Sequence, residues 1–327
     1  MLPLCTLRVL IGSTLALAIL RQASAGDMQP GTLQPVTLKT SVASLYGTLE
    51  SPPGTDPVPV ALIIAGSGPV DRDGNSTKGL NTDCYKLLAE ALARRGIASL
   101  RYDKRGVGQS ARPDLDERTL TFSTFVDDAV AWGRELRRDP HFSTLTIIGH
   151  SEGALIGLVG ASRIPVDGVV SVSGAGEPLS RLMLRQLEPR LPPDAYQAAQ
   201  AIITGLEHGT LTDHVPPLLE PVLRPSVQPY LVSVFRVDPV VEISRLKMPL
   251  LIVQGGRDLQ VSQSDAASLA KGAPGARLDL IPEMNHVLKD AAQHDNLATY
   301  SDPTLAVDPR LVDAVSDFII HLKRSSQ

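Results

Sequence analysis

The order of apolar segments predicts an α/β protein, a mostly parallel sheet covered by helices on both faces. Three observations carry this expectation. Short runs such as "VPVALIIAG" (58–66) and "LTIIG" (145–149) are apolar almost throughout, as strands buried on both faces are. Amphipathic helical patterns alternate with them, the rhythm of a parallel sheet. The 327 residues, 43% of them hydrophobic, suffice for one large core but not for several independent domains of ordinary size.

Taken in order, residues 26–43 read as a polar linker, "SLYGTLESP" (44–52) as an early strand and "VPVALIIAG" as a buried one. In "DCYKLLAEALARRG" the apolar Leu87, Leu88, Ala91 and Leu92 fall on one helical face, with Asp83 placed to cap the start and Gly96 the end. "IASLRYD" (97–103) is the next strand, residues 125–138 a second helix, and "LTIIG" a further strand. "EGALIGLVGAS" then reads as a helix apolar nearly all round, and "VDGVVSVSG" (166–174) as one more strand.

The rhythm breaks at Gly174. Residues 177–247 are rich in leucine and proline, with one clear helix, "DAYQAAQAIITGLEHG", whose Ala195, Ala198, Ala199, Ile202, Ile203 and Leu206 form a stripe. Prolines 216, 217, 221, 225, 229 and 239 exclude long regular elements, so a small, irregular helical insertion is expected. Sheet rhythm returns with "PLLIVQGGRD" (249–258), a helix near 263–271, the strand "ARLDLIP" (276–282) and a last helix opened by Asp308 and Pro309. The expected organisation is thus a core of 44–176 and 248–327 interrupted by an insertion at 177–247.

The first 25 residues carry Arg8, an apolar run from Val9 to Leu20, and Ala23-Ser24-Ala25, the pattern of a secretory signal peptide with a small-x-small cleavage site. The run is shorter than the ~20 residues that span a bilayer, so an exported chain, periplasmic or secreted, without stable membrane insertion is expected after cleavage. Cleavage removes Arg8 and Arg21 and no acid, taking the formal charge from −4 to −6. It also leaves Cys84 as the sole cysteine, which excludes an internal disulfide and a cysteine metal site. Mild acidity and only 4% aromatic residues give no footprint for nucleic acid.

"GHSEG" (149–153) places a serine between two glycines, a pattern too frequent by chance to carry a function alone. Its context is more specific. "LTIIG" supplies a strand and "ALIGLVG" a helix, the strand-turn-helix setting in which a strained serine projects its Oγ from the edge of a sheet. Gly149 and Gly153 let strand and helix approach closely. A serine hydroxyl needs a base, and the base needs an orienting acid. Of the seven histidines, His286 alone follows a late strand in a loop that returns to the sheet edge, whereas His150, beside the serine, reads as a packing residue and the others as solvated. For the acid, Asp258 directly follows the buried run "LLIVQGG"; Glu177 is its main rival, with Asp265 and Glu283 behind. An oxyanion site would take the N–H of Glu152, after the serine, and one from "AGSGP" (65–69), with Ser67 assigned and Gly66 the alternative.

With "AGSGPVDRDGN", "YDKRGVGQS", "GHSEG", "GGRD" and "MNH" in this order, the chain from Leu45 to Leu322 resembles the α/β-hydrolases, and among them exported bacterial esterases related to the serine-aminopeptidase-like group. The resemblance implies Ser151 as nucleophile, Asp258 as acid, His286 as base, and the insertion as a cap over an acyl pocket. Acyl transfer through such a triad needs no cofactor or metal, and the apolar, leucine-rich insertion suggests a small-molecule carboxylic ester of short to medium acyl chain as substrate. Ala65 stands where the family more often opens with His-Gly, which backbone donors do not require.

Two other motifs are weaker. "DRDGN" suggests a calcium loop, but Ser76 and Thr82 occupy the positions of its glycine and glutamate. "RGVGQS" lacks the full dinucleotide fingerprint and the phosphate-loop lysine. An aminopeptidase using the same triad, with Glu177 or Glu152 holding the substrate amine, is the alternative enzyme. A catalytically silent envelope binding module is the alternative outside enzymes.

Overall fold

The computed structural model describes residues 31–54 and 56–324. The expected signal peptide lies outside these residues. In chain order the elements are β1 (Thr32–Lys39), β2 (Ser44–Ser51), β3 (Val58–Ile64), the short hairpin strands β4 (Asn75–Ser76) and β5 (Leu80–Asn81), α1 (Cys84–Ala93), β6 (Ala98–Tyr102), α2 (Phe122–Arg138), β7 (Phe142–His150), α3 (Glu152–Ala161) and β8 (Gly168–Val172). They continue with α4 (Leu179–Leu187), α5 (Pro193–Glu207), α6 (Glu220–Leu223), α7 (Gln228–Phe235), α8 (Pro239–Ser244), β9 (Leu250–Gly255), α9 (Gln263–Gly272), β10 (Arg277–Ile281) and α10 (Pro309–Ile320).

The eight-stranded sheet runs β1-β2-β6-β3-β7-β8-β9-β10. From β6 onward neighbours are parallel; β1 with β2 and β2 with β6 are antiparallel. Alternate residues of the buried strands serve opposite faces. Val60, Leu62, Ile64 and Ile147 join the core under α2 and α3, while Ala61, Ile63, Ile148 and Val170 join the one under α1 and α10. From β3 the chain passes to β6 on one side and then to β7 on the other, so the order reverses between β3 and β7. A crevice opens at such a reversal, at the carboxyl ends of the strands.

The structure departs from expectation in three places. The segment 26–43 is not all linker: β1 pairs along its length with β2. Its residues are mostly exposed, and only Val36 and Leu38 face the core, too short an apolar pattern to read as a strand. Asp83 stands before α1 but does not cap it; its φ is +50°, and its carboxylate accepts from Asn75 Nδ2 (2.6 Å) and Lys86 Nζ (2.9 Å). The insertion holds helices beyond the one expected, because Pro221, Pro229 and Pro239 sit in the first turns of α6, α7 and α8, where a missing N–H costs nothing. The same prolines keep these helices short.

Candidate active site

Ser151 lies between β7 and α3 with φ +55° and ψ −121°, a conformation that side-chain-bearing residues rarely adopt. The turn is held by its surroundings. The Ser151 N–H donates to the Val172 carbonyl of β8 at 2.9 Å, and a Cβ on Gly149 would run into the Gly153 carbonyl. A Cβ on Gly153 would run into the Ile64 carbonyl of β3. Both glycines are therefore demanded by close backbone approach, as expected. The turn sits at the crevice between β3 and β7, with the first N–H groups and the positive end of α3 beside it.

His286 follows β10 and is buried, and its Nδ1 lies 2.9 Å from Asp258 Oδ2. Asp258 follows β9, and its side chain is fully screened from solvent. Oδ1 accepts the Gln260 and Val261 N–H groups at 2.8 and 2.9 Å, and Oδ2 also takes Gln254 Nε2 at 3.2 Å. Burial pulls the Asp258 pKa upward, but the charge and hydrogen bond of His286 and the two backbone donors outweigh it, holding the carboxyl down to about 2. An ionised Asp258 fixes the proton of a neutral His286 on Nδ1, leaving Nε2 as the acceptor. Among the described residues Ser151 Oγ makes no hydrogen bond to His286; in ligand-free sites such bonds are often long and tighten around substrate.

The rival acids are engaged elsewhere. Glu177 pairs with Arg185 at 2.9 Å, Glu283 pairs with Arg257, and Asp265 caps α9 while receiving Arg185 at 2.7 Å. His141, His208, His214, His294 and His321 are exposed.

His150 does more than the packing expected of it. Its Nε2 lies 2.8 Å from the His286 carbonyl and its Nδ1 2.7 Å from Tyr85 Oη. A carbonyl only accepts, so Nε2 carries the proton and Nδ1 accepts from the phenol. Tyr85 Oη in turn accepts the Gly66 N–H at 3.0 Å. One chain of hydrogen bonds thus joins the loop after β3, the serine turn and the histidine loop. Burial, then the nearby charge of His286, drives the His150 pKa down to about 3, keeping the ring neutral.

Gly66, the alternative donor, therefore already spends its N–H on Tyr85. Ser67 is exposed at the strand end, and its N–H has no acceptor among the described residues. The Glu152 N–H, first in α3, is likewise uncommitted, whereas its carboxylate accepts from Tyr230 Oη (2.5 Å) and Lys104 Nζ (3.3 Å). Sequence reasoning passes over Tyr85, Lys104 and Tyr230. Lys104 sits in "YDKRGVGQS", a motif read for its glycines; a lysine two residues after a wholly buried strand is the available signal. Tyr230 left none, because its partner is set by how α7 folds over the core.

A cavity of about 410 Å³ adjoins Gly68 and Glu152 and is lined by Val107, Leu115, Leu120 and Phe125 of the core and by Val227 and Tyr230 of the insertion. The insertion is thus a wall of the cavity beside the serine turn. The two weaker motifs are structural. Asp71 Oδ1 accepts the Asp73 and Asn75 N–H groups, both at 2.9 Å. In the glycine turn, Asp103 receives the Gln109 N–H at 2.8 Å and Arg72 Nη2 at 2.6 Å.

The serine aminopeptidase S33 family matches residues 79–208. Esterase EstD of Thermotoga maritima is 28% identical over 294 residues, a match covering 86% of this chain and 66% of that protein. The chain thus spans just under two thirds of that relative's length. Among solved structures, Est1E from Butyrivibrio proteoclasticus superposes with a TM-score of 0.57 at 16% identity, covering 88% of this chain and 97% of the other. The esterase domain of a Rhodothermus marinus protein does so with a TM-score of 0.57 at 20% identity, covering 89% and 99%. The chain has the α/β-hydrolase fold.

Proposed function

We propose that the protein hydrolyses carboxylic esters through an acyl-enzyme on Ser151. The observation that carries this reading is the buried Asp258–His286 pair at 2.9 Å, on the same sheet edge as a serine held at φ +55°. In the proposed reaction Ser151 Oγ attacks the ester carbonyl and His286 Nε2 takes its proton. Asp258 stabilises the resulting imidazolium. The N–H groups of Ser67 and Glu152 receive the oxyanion, and His286 then protonates the departing alcohol. Water repeats the sequence to release the acid.

The cavity supports a small ester with a short or medium acyl chain, because about 410 Å³ lies near the lower end of small-molecule sites and Val107, Leu115, Leu120, Phe125 and Val227 form an apolar patch among the charged Lys78, Arg105, Arg112, Glu117 and Arg224. That the named relative and structural neighbours are esterases supports the ester reading. The S33 match favours amide hydrolysis as a second reading. Against it, both carboxylates available for a substrate amine are already paired, Glu152 with Lys104 and Glu177 with Arg185. We also propose that the chain is exported, which N-terminal sequencing of the secreted or periplasmic form tests. A fluorophosphonate probe should label Ser151, and p-nitrophenyl esters of increasing chain length should be cleaved with a maximum at short or medium chains. Labelling elsewhere, Ser151→Ala retaining full activity, or a preference for aminoacyl arylamides would refute the assignment.

A further inference from the structure

Lys104 is a buried cation with no part in the proton transfers. Its side chain is 4% exposed and leaves the carboxyl end of β6 at the crevice. Its Nζ donates to the Gly66 carbonyl and approaches Glu152 Oε2 at 3.3 Å. Gly66 and Glu152 belong to the two segments from which the proposed oxyanion donors come. Its charge is balanced locally by Glu152, whose other oxygen is taken by Tyr230, so the ammonium is fixed in place rather than solvated.

The Gly66 carbonyl belongs to the same peptide unit as the Ser67 N–H. In a trans peptide these two groups point in opposite directions, so a donor that captures the oxygen also aims the N–H. Gly66 is held from both ends, its N–H by Tyr85 Oη and its oxygen by Lys104. It also faces the nucleophile: a Cβ on Gly66 would stand 3.1 Å from Ser151 Cβ. An ammonium on the carbonyl polarises the peptide and strengthens its N–H as a donor. Resting on the ester-hydrolase reading above, we propose that Lys104 is a positioning residue for the oxyanion hole, fixing the Gly66–Ser67 peptide before substrate arrives and bracing Glu152 beside the second donor.

Such an effect belongs to the transition state, because charge on the carbonyl oxygen is fully developed only there. Loss of a whole oxyanion donor costs about 10²–10³ in kcat, and loss of its orientation should cost somewhat less. Lys104→Met is therefore expected to lower kcat for a p-nitrophenyl ester about 10- to 100-fold while KM changes less than about threefold. Inhibition by an arylboronic acid, which forms a tetrahedral adduct, should weaken in step with kcat/KM.

Lys104→Met alone leaves Glu152 without its counter-ion, so the double variant Lys104→Met/Glu152→Gln is measured beside it. A kcat loss that persists in the folded double variant supports the inference. Recovery of kcat in the double variant, or a loss confined to KM in either, overturns it. Fluorophosphonate labelling of wild-type Ser151 is read in parallel: if Ser151 is not labelled the hydrolase reading itself fails, and if it is labelled while Lys104→Met keeps wild-type kcat only the role of Lys104 fails.

Discussion

Replacing Asp258 by asparagine tests the orientation of His286 with almost no change in shape. Oδ1 of Asp258 accepts two backbone N–H groups, so the amide oxygen of asparagine must occupy that position. Its NH₂ group then falls where Oδ2 was, facing His286 Nδ1 at 2.9 Å and Gln254 Nε2 at 3.2 Å. Two donors cannot share that position with an Nδ1–H, so the ring must shift its proton to Nε2, the nitrogen needed to accept from Ser151. A wrong tautomer in a serine triad costs about 10⁴ in kcat, equivalent to about 5 kcal/mol of barrier. Steady-state hydrolysis of p-nitrophenyl butyrate should show that loss with little change in KM. The carboxylate also contributes to stability, because its pKa lies at about 2 against an ordinary 3.8. The contribution, about 2 kcal/mol, is fully present above pH 4 and disappears as pH falls through 2, so Asp258→Asn should unfold at lower denaturant at neutral pH. If the variant keeps kcat within tenfold of wild type, another group orients His286 and the assignment of the acid is wrong.

His150 makes the fold sensitive to acid in the opposite sense. Folded, it stays neutral until about pH 3, whereas in the unfolded chain it takes a proton near 6.5. Between these limits the unfolded state binds the extra proton, so stability should fall by up to about 1.4 kcal/mol per pH unit on acidification. Urea titrations of wild type and His150→Gln from pH 7 to 4 should differ in that slope, and equal slopes would mean that the ring is charged in the folded protein. Gly153→Ala should destabilise by at least about 1–3 kcal/mol, because its methyl group meets the Ile64 carbonyl and backbone must move. An unchanged Tm in this variant would contradict the close approach of α3 to β3.

The parts of the site legible in the sequence are those fixed by local geometry. Ser151 announces itself because a strained turn between a buried strand and a buried helix needs glycine two residues away on either side, and Gly149 and Gly153 meet carbonyls there. Asp258 and His286 are legible for a related reason: each lies in the loop after a strand of a sheet whose strands from β6 onward run parallel, so the topology delivers their loops to one edge. What stayed hidden depends on packing between segments distant in sequence. β1 offers only Val36 and Leu38 to the core and otherwise holds its place through its ladder with β2. Tyr85, His150 and Gly66 are spread over 85 residues, and nothing in their spacing reveals a chain of hydrogen bonds among them. The hidden contacts are largely those that brace the legible ones. A triad supplies the groups that move protons, but its rate rests on dipoles already aimed when charge develops. In the proposed reaction that aiming falls to residues outside the triad, Tyr85 on the N–H of Gly66 and Lys104 on its carbonyl, with Tyr230 tying the insertion to Glu152. The wall of the cavity is thereby bonded to the residue next to Ser151, which gives the insertion a direct mechanical link to the serine turn.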